Sequence, residues 1–249
     1  MMNTFNGKTC VVTGAAQGIG KAAVKRFLDD GIDKIAIVDL NLEAAQATAK
    51  ELDETGKRAF AFKCNVANFE DVTRCFGEIE AAFGKIDILV NNAGIIRDRT
   101  IIKMPVEDWH AVLAVDLTSA FYCCKLALPG MIERKYGKIV TMSSMGYGGA
   151  HGQSNYAAAK YGVIGMSRCI AKEYGQYNIT ANAVCPAAVA TDMILAVEPE
   201  LLKKKMAAFP RGRAATVEEL AAVIAFLASD DSSFVNGERT IVTDGRMCV

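Results

Sequence analysis

The chain has 249 residues, of which 51% are apolar, and its 28 basic and 28 acidic side chains give a formal net charge of zero. This balance argues against nucleic acid or an anionic membrane as the main partner, and no apolar run approaches the roughly 20 residues of a membrane span. The length suits one large domain with a sizeable core.

The cysteines and the opening residues predict the cellular compartment. The first ten residues, MMNTFNGKTC, lack the basic segment and apolar core of a secretory signal, so we expect a cytoplasmic protein. The eight cysteines include no C-x-x-C pair and no histidines at ligand spacing, which argues against a metal site. Most lie in apolar runs and are expected to be buried free thiols, the adjacent Cys123 and Cys124 included.

The first elements predict a dinucleotide site. The run GKTCVVTG is typical of a buried strand, and KAAVKRFLDDG is typical of an amphipathic helix. Between them lie Gly14, Gly18 and Gly20, and strand, turn, helix is the context in which such glycines indicate a bound dinucleotide. Gly14 permits the tight turn, Gly18 lets the backbone approach a pyrophosphate, and Gly20 allows close helix–strand packing. The helix N-terminus offers free N–H groups to the phosphates.

The second strand, KIAIVDL, ends at Asp39, nineteen positions beyond Gly20. An acidic side chain there can accept hydrogen bonds from both ribose hydroxyls and would repel a 2′-phosphate. No Arg or Lys follows in DLNLEAAQ, and Gln17 in the turn is neutral, so we predict NAD(H) in preference to NADP(H). The alternative is that Asp39 only caps the next helix.

Strands and helices continue to alternate. The segment LEAAQATAKELDETG is a predicted helix, RAFAFKCNV a strand leading to Asn65, FEDVTRCFGEIEAAFG a helix and KIDILVNNAG a strand. This alternation predicts an α/β fold, a doubly wound parallel sheet with helices on both faces. Asn91, Asn92 and Gly94 follow the fourth strand, at the edge where ligands bind in such sheets.

The second half of the chain continues the pattern. The stretch PVEDWHAVLAVDLTSAFYCCKLALPGMIERKYG predicts one long helix that is apolar nearly all round, so we expect both the sheet and another subunit to cover it. GKIVTMS, NITANAVCP and ERTIVTDG are the fifth, sixth and seventh strands, and TVEELAAVIAFLAS is a helix that opens with a capping box of Thr216 and Glu219. The charged, interrupted segment 190–210 is a predicted substrate lid.

The stretch SSMGYGGAHGQSNYAAAK, from Ser143 to Lys160, carries the predicted chemistry. Tyr156 and Lys160 are four residues apart, so on a helix they share one face. The lysine ammonium favours the phenolate electrostatically, and a phenol in that setting can give a proton to a ketone oxygen or take one from an alcohol. Ser143, on an upstream loop, can hydrogen-bond the same oxygen. By itself such a pair is more often a surface contact.

Together these motifs resemble the short-chain dehydrogenase/reductase family over essentially the whole chain. The matches are the Gly14-x3-Gly18-x-Gly20 turn, the Asn91-Asn92-Ala93-Gly94 segment, and Ser143 with Tyr156-x3-Lys160, twelve residues separating the serine from the tyrosine. Ser144 breaks that spacing. The resemblance implies a single-domain Rossmann fold with a seven-stranded sheet and reversible hydride transfer between nicotinamide and a secondary alcohol carbon. In it Tyr156 exchanges the proton, Ser143 orients the oxygen, and Lys160 supports the phenolate and binds the ribose.

The expected site follows from these motifs and the resemblance. Expected cofactor contacts are Gly14, Gln17, Gly18, Ile19, Gly20, Asp39, Leu40, Asn65, Val66, Asn92, Ala93, Gly94, Tyr156, Lys160, Pro186, Val189 and Thr191. Expected substrate walls are Ile95, Ile96, Met145, His151 and Met193, although a loop histidine without a role is the more common case.

Three residues depart from the family pattern. Asp116 stands where the family usually has an asparagine that anchors a relay water, so we assign it a relay role with an added negative charge near Lys160 and an altered pH dependence. Asn65 stands where an aspartate usually meets the adenine, and Ala187 replaces the glycine usual after the proline.

Within the family, the C-terminal part resembles 3-oxoacyl-(acyl carrier protein) reductases and their hydroxysteroid, acetoin and polyol dehydrogenase relatives. Those reductases mostly use NADPH, which Asp39 opposes. Acyl carrier protein is a weakly supported partner, since Arg134, Lys135 and Lys138 form either a basic patch or only a solvated helix end. The family implies a homotetramer or homodimer assembled through the helices around 105–133 and 153–175. A non-catalytic NAD-binding subunit or regulator is the alternative from another class.

Overall fold

The structure is a computed structural model that describes residues 5–191, 198, 200, 203 and 206–246. Seven parallel strands form one sheet in the order β3-β2-β1-β4-β5-β6-β7. The strands are β1 (Thr9–Thr13), β2 (Lys34–Asp39), β3 (Ala59–Lys63), β4 (Ile88–Asn91), β5 (Gly137–Met142), β6 (Ile179–Pro186) and β7 (Arg239–Val242). The predicted doubly wound parallel sheet is confirmed.

Seven α-helices are described from end to end. They are α1 (Gly18–Asp29), α2 (Leu42–Leu52), α3 (Phe69–Phe83), α4 (Val106–Leu113), α5 (Ser119–Arg134), α6 (Ser154–Tyr174) and α7 (Val217–Ala228). The predicted capping box of α7 is confirmed, because the side chain of Thr216 accepts from the Glu219 amide while the Glu219 carboxylate accepts from the Thr216 amide.

Two apolar cores lie on opposite faces of the sheet. Within β1, Val12 belongs to the core that α1 and α7 cover, whereas its neighbour Val11 belongs to the core under α3 and α5. This alternation follows from the two-residue repeat of a strand, and both faces are apolar because helices cover both. The predicted burial of the cysteines is confirmed for six of the seven within the described ranges, the exposed one being Cys169.

The strand β1 pairs on one side with β2 and on the other with β4, so the chain changes direction across the sheet at this point. The loops that follow β1 and β4 therefore leave the sheet toward opposite faces and leave a crevice at the strands' carboxyl ends. The cleft described below occupies this crevice.

The expected long helix after β4 is present as one continuous helical stretch, Val106–Arg134, with a π-helical turn inside it. A π-helical turn over Ala114–Thr118 separates α4 from α5. By length and composition alone, the helical stretch Val106–Arg134, with a mean hydropathy of 1.6 in its most apolar window, could cross a bilayer. However, 44% of that window is buried within the chain, and Asp116 in its middle pairs with Lys160, both of which suit the core helix of a globular protein.

Candidate active site

A cleft of about 820 Å³ opens at the carboxyl ends of the central strands. That volume suits a cofactor or substrate site. Among the residues that line it are these predicted ones: Gly14, Gln17, Gly18, Ile19, Asp39, Leu40, Asn65, Val66, Asn92, Ala93, Gly94, Ile95, Ile96, Asp116, Ser143, Met145, Tyr156, Lys160, Pro186, Val189 and Thr191. The fold thus brings together segments that are far apart in sequence.

The glycine turn combines tight packing with open backbone. Gly14 has φ +62°, and a Cβ there would lie 2.8 Å from the Ala93 Cα. Gly20 does not line the cleft; a Cβ on it would meet the Gly14 carbonyl oxygen and lie 2.6 Å from Asn92 Nδ2. Gly18 has φ +58°, and a Cβ there would meet only the Thr191 methyl group, at 3.6 Å. Gly14 and Gly20 are therefore required for close packing, while Gly18 leaves open space above the turn.

The N-terminus of α1 keeps its backbone amides available. Gln17 precedes the helix but makes no side-chain cap hydrogen bond, whereas Asn41 and Asn68 cap α2 and α3 with their side-chain oxygens. The first N–H groups of a helix need an acceptor, and the positive end of the helix dipole favours an anion. Together with the open backbone at Gly18, this N-terminus fits the pyrophosphate of a dinucleotide.

Asp39 closes one end of the cleft. Its Oδ2 accepts from the Ala16 amide at 3.1 Å and its Oδ1 from the Asn41 amide at 3.1 Å. Because Asn41 is the residue that caps α2, Asp39 does not have that role. Each carboxylate oxygen has a second lone pair, so the side chain can still accept from ribose hydroxyls. Nearby, Asn65 is already partly engaged, since its Oδ1 accepts from the Ala67 amide.

The asparagines after β4 tie this strand to the glycine turn. Asn92 Nδ2 donates to the carbonyl oxygens of Thr13 and Gly14 at 3.0 and 2.8 Å. The Thr13 hydroxyl in turn accepts from the Asn92 and Ala93 amides. Asn91 is buried behind the cleft, where its Nδ2 donates to the Thr141 hydroxyl. These contacts hold the floor of the cleft in place.

Ser143, Tyr156 and Lys160 meet at the other end of the cleft. Lys160 is buried one helical turn after Tyr156, with its Nζ 5.5 Å from the centre of the Tyr156 ring. The Lys160 ammonium donates to the Met142 carbonyl oxygen at 2.9 Å, and the Ser143 hydroxyl donates to the Lys160 carbonyl oxygen at 2.7 Å. Among the described residues the Tyr156 hydroxyl has no hydrogen-bond partner.

Asp116 forms a buried ion pair with Lys160. Its Oδ2 lies 3.1 Å from Lys160 Nζ, while its Oδ1 accepts from the Ile95 amide at 2.8 Å. Burial raises the pKa of Asp116, because it penalises the carboxylate more than Lys160 and the Ile95 amide favour it. For Lys160, burial disfavours the ammonium, but the negative charge of Asp116 outweighs that effect and raises the pKa of Lys160. Gly94 must lack a side chain here, since a Cβ would lie 2.8 Å from Asp116 Oδ2.

The substrate walls differ in part from expectation. Ile95, Ile96 and Met145 line the cleft. His151 does not, because the turn between Gly149 and Gly152, both at positive φ, leaves it exposed, and its expected place in the wall is corrected. Met193 lies outside the described residues, as does most of the expected lid at 190–210. Ser144 caps the following turn by accepting from the Gly146 amide.

Sequence reasoning missed several residues that line the cleft, among them Gln153, Thr243 and Arg246. Thr243 and Arg246 directly follow β7. The rule that selected Asp39 and Asn92, that residues after a parallel strand reach the ligand edge, applies to them as well.

Comparisons with known proteins all find reductases or dehydrogenases. Residues 14–246 match the family model described as enoyl-(acyl carrier protein) reductase. Over 246 residues, 98% of this chain and 99% of the relative, the chain is 39% identical to the 3-oxoacyl-(acyl-carrier-protein) reductase FabG of Thermotoga maritima. The FabG of Escherichia coli K12 is 37% identical with the same coverage. Among solved structures, a candidate gluconate dehydrogenase from Agrobacterium tumefaciens aligns with a TM-score of 0.94 and 32% identity over 100% of this chain and 99% of its own.

Proposed function

We propose that this chain, which belongs to the short-chain dehydrogenase/reductase family, interconverts a secondary alcohol and a ketone with NAD(H) as the hydride carrier. An oxidoreductase of the short-chain alcohol dehydrogenase or ketoreductase type is what the family membership establishes. The proposal for the residues depends on one observation: in a cleft that begins at a glycine turn, buried Lys160 lies beside half-buried Tyr156, whose hydroxyl has no partner within the described part of the chain.

Tyr156 is the proposed proton carrier. Bound in the cleft, the nicotinamide supplies or accepts the hydride. During reduction the Tyr156 hydroxyl gives its proton to the carbonyl oxygen, and during oxidation the phenolate takes the alcohol proton. Ser143 donates a hydrogen bond to the same oxygen once its hydroxyl turns away from the Lys160 carbonyl. Lys160 favours the phenolate electrostatically.

Asp116 is proposed as a positioning residue. Its carboxylate, 3.1 Å from the Lys160 ammonium, holds that group charged and in place. In turn, the Ile95 amide fixes the carboxylate, which links this pair to the loop that forms the substrate wall. A carboxylate at this position forms a stronger hydrogen bond with the Lys160 ammonium than the amide of an asparagine would.

The preference for NAD(H) is a proposal supported by Asp39. A 2′-phosphate next to this carboxylate would meet like charge, and the neighbouring cleft residues Gln17, Leu40 and Asn65 offer no cation to compensate. The relatives named 3-oxoacyl-(acyl-carrier-protein) reductase point toward a 3-oxoacyl thioester as substrate. The apolar walls suit an acyl chain, and hydroxysteroids or polyols are the alternative substrates.

Two experiments test the function. Purified protein is assayed with NADH and NADPH against 3-oxoacyl thioesters, steroid ketones, polyols and an enoyl thioester, and we expect NADH-dependent reduction of the 3-oxoacyl thioester. The enoyl thioester should not react, because Tyr156 and Ser143 address an oxygen and not a carbon–carbon double bond. Tyr156→Phe should lower kcat by about 100-fold or more, the contribution of a general acid, and leave NADH binding intact.

The control is Tyr161→Phe, on the same helix but 56% exposed, which should leave kcat unchanged. Unchanged turnover in Tyr156→Phe would remove the proton role. Binding of NADH without turnover of any compound would instead favour the non-catalytic alternative.

The assembly and location of the protein are also proposals. We expect a homotetramer or homodimer because Phe121 on α5 and Tyr161 on α6 expose 50% and 56% of their surface on the helices expected at the interface. The buried free thiols suit a cytoplasmic protein. Acyl carrier protein is a possible partner if the substrate is carried on it, and loss of binding at moderate salt would be expected for such an acidic partner.

A further inference from the structure

Four charged side chains line the described part of the cleft: Asp39, Asp116, Lys160 and Arg246. Asp116 and Lys160 neutralise each other at 3.1 Å. The Asp39 carboxylate accepts from two backbone amides at the end of β2. Arg246 is therefore the cation that the cleft leaves without a carboxylate, within the residues that the structure describes.

The chain around Arg246 keeps nearby acids away from it. A tight turn follows β7, in which Asp244 and Gly245 have positive φ and the Arg246 amide donates to the Thr243 carbonyl oxygen. The Asp244 carboxylate is held by Arg211, through the backbone amide at 2.8 Å and the side-chain Nε at 3.1 Å. The acid that is closest in sequence to Arg246 thus already has a partner.

A buried aromatic ring holds the guanidinium. The centre of the Arg246 guanidinium lies 4.9 Å from the centre of the Phe209 ring, and Phe209 is buried. Stacking on a ring restricts the plane of an arginine without consuming its N–H groups. A guanidinium fixed in this way loses less freedom when it binds a carboxylate or phosphate with two parallel hydrogen bonds.

The sheet order gives the position of Arg246 along the cleft. Asp39 ends β2, near one edge of the sheet, whereas Arg246 follows β7, at the other edge. If the ribose next to Asp39 marks the adenine half of the cofactor, Arg246 lies beyond the nicotinamide half, since β7 is the strand next to β6, which Ala187 and Ala188 follow in the lining of the same cleft. A substrate that occupies the cleft beyond the nicotinamide half would meet this guanidinium.

We infer that Arg246 recognises an anionic group, a carboxylate or a phosphate, on the part of the substrate that lies away from the reacting carbonyl. This inference rests on the proposed ketone reduction and narrows its substrate class to organic anions. Arg246 selects the substrate and does not take part in proton or hydride transfer.

The test compares anionic and neutral ketones that are otherwise matched. One pair is a ketone with a terminal carboxylate and its methyl ester; the other is a 3-oxoacyl thioester of 4′-phosphopantetheine and the same thioester of pantetheine, which lacks only the phosphate. Arg246→Met should lower kcat/KM for an anionic member by about 10- to 100-fold, as expected for a lost hydrogen bond between charged groups, and leave the neutral member within about twofold. Arg246→Lys should recover part of the loss.

Two comparisons make the result specific. The control Arg213→Met removes a nearby arginine that pairs with Glu219 and does not line the cleft, and it should change neither member of a pair. The pair that responds to Arg246→Met distinguishes a carboxylate from a phosphate. Equal losses for charged and neutral members would overturn the inference, as would a loss confined to the KM for NADH, which would assign the guanidinium to the cofactor.

The outcome remains separable from the proposed function. If the wild-type protein turns over neither these four ketones nor any compound of the substrate panel above, the proposed function fails. Binding is then measured by calorimetric titration of each of the four ketones into the NADH-saturated wild type and Arg246→Met. Tighter binding of an anionic member that disappears in Arg246→Met would support anion recognition, and equal affinity in the two proteins would overturn it.

Discussion

A methyl group added at Gly18 and one added at Gly20 are expected to damage different properties of the protein. At Gly18, alanine must adopt φ +58°, which costs about 1–2 kcal/mol for an L-residue, but the new Cβ meets only the Thr191 methyl at 3.6 Å. Alanine also restricts the unfolded chain, which returns about 0.4–1 kcal/mol. We therefore expect Gly18→Ala to lower the free energy of unfolding by only about 1 kcal/mol.

Gly20→Ala has the opposite balance. Its Cβ would contact the Gly14 carbonyl oxygen and come within 2.6 Å of Asn92 Nδ2 and 2.8 Å of the Ala15 Cα. Two of these three partners are backbone atoms that cannot rotate away, so the cost should reach about 3–4 kcal/mol, at or just above the top of the range for ordinary overpacking. The better helix propensity of alanine offsets only about 1 kcal/mol. The net loss of stability should be about 2–3 kcal/mol.

For NADH affinity the order of the two variants is reversed, and Gly18→Ala should be the more damaging. A methyl group at Gly18 stands where the pyrophosphate approaches the turn, so NADH should bind at least about tenfold more weakly, a loss of about 1.4 kcal/mol. Stability is measured by urea unfolding without NADH at one protein concentration, and NADH affinity by titration calorimetry. Gly77→Ala, on the exposed face of α3 with nothing within 4 Å, is the control and should stabilise by about 1 kcal/mol.

Two results would refute this reasoning. If Gly18→Ala binds NADH as the wild type does, the backbone at Gly18 is not the phosphate site. If Gly18→Ala is destabilised as strongly as Gly20→Ala, the open space above Gly18 does not exist in solution.

Three further predictions concern charges. Asp39→Asn removes the charge that opposes a 2′-phosphate, so the ratio of kcat/KM for NADPH over NADH should rise about tenfold or more in initial-rate assays; an unchanged ratio would mean that another group selects the cofactor. Asp116→Asn removes the negative charge that raises the pKa of Lys160, so Lys160 should lose its proton at lower pH and the alkaline limb of the kcat profile should move to lower pH; coincident profiles would contradict this. For Asp53, burial is outweighed by hydrogen bonds from Thr55 and two backbone amides, which lower its pKa to about 2, below the unfolded value. Its stabilising effect is therefore present above about pH 5 and lost as the pH falls, so Asp53→Asn should cost about 2 kcal/mol at pH 7 and little at pH 2 in urea unfolding, whereas an equal cost at both would be inconsistent.

The parts of the fold that the sequence predicts are those with a local cause. Apolar strands that end in glycine or asparagine show where the carboxyl edge of a parallel sheet lies, and Gly18, Asp39 and Asn92 reach the cleft for that reason alone. The one-turn spacing of Tyr156 and Lys160 is likewise a property of a single helix.

The parts that the sequence does not predict depend on contacts between distant segments. The stretch around Asp116 is apolar on every side, so its pattern carries no sign of the π-helical turn that directs this carboxylate toward Lys160. The sequence does not distinguish Arg246 from the other arginines. Its lack of an acidic partner depends on Arg211, 35 residues earlier in the chain, which pairs with Asp244. His151 illustrates the reverse case, in which a residue near the chemistry in sequence is carried outward by a turn.

The Ser143 hydroxyl already has an acceptor before any ligand arrives, the carbonyl oxygen of Lys160 at 2.7 Å. A neutral ketone oxygen that replaces this acceptor exchanges one ordinary hydrogen bond for another and gains little affinity. An oxygen that is acquiring negative charge forms a much stronger bond with the same hydroxyl. Because of the contact with the Lys160 carbonyl oxygen, Ser143 should add little to the affinity for the ketone itself. Its contribution should therefore be seen in kcat and hardly in KM.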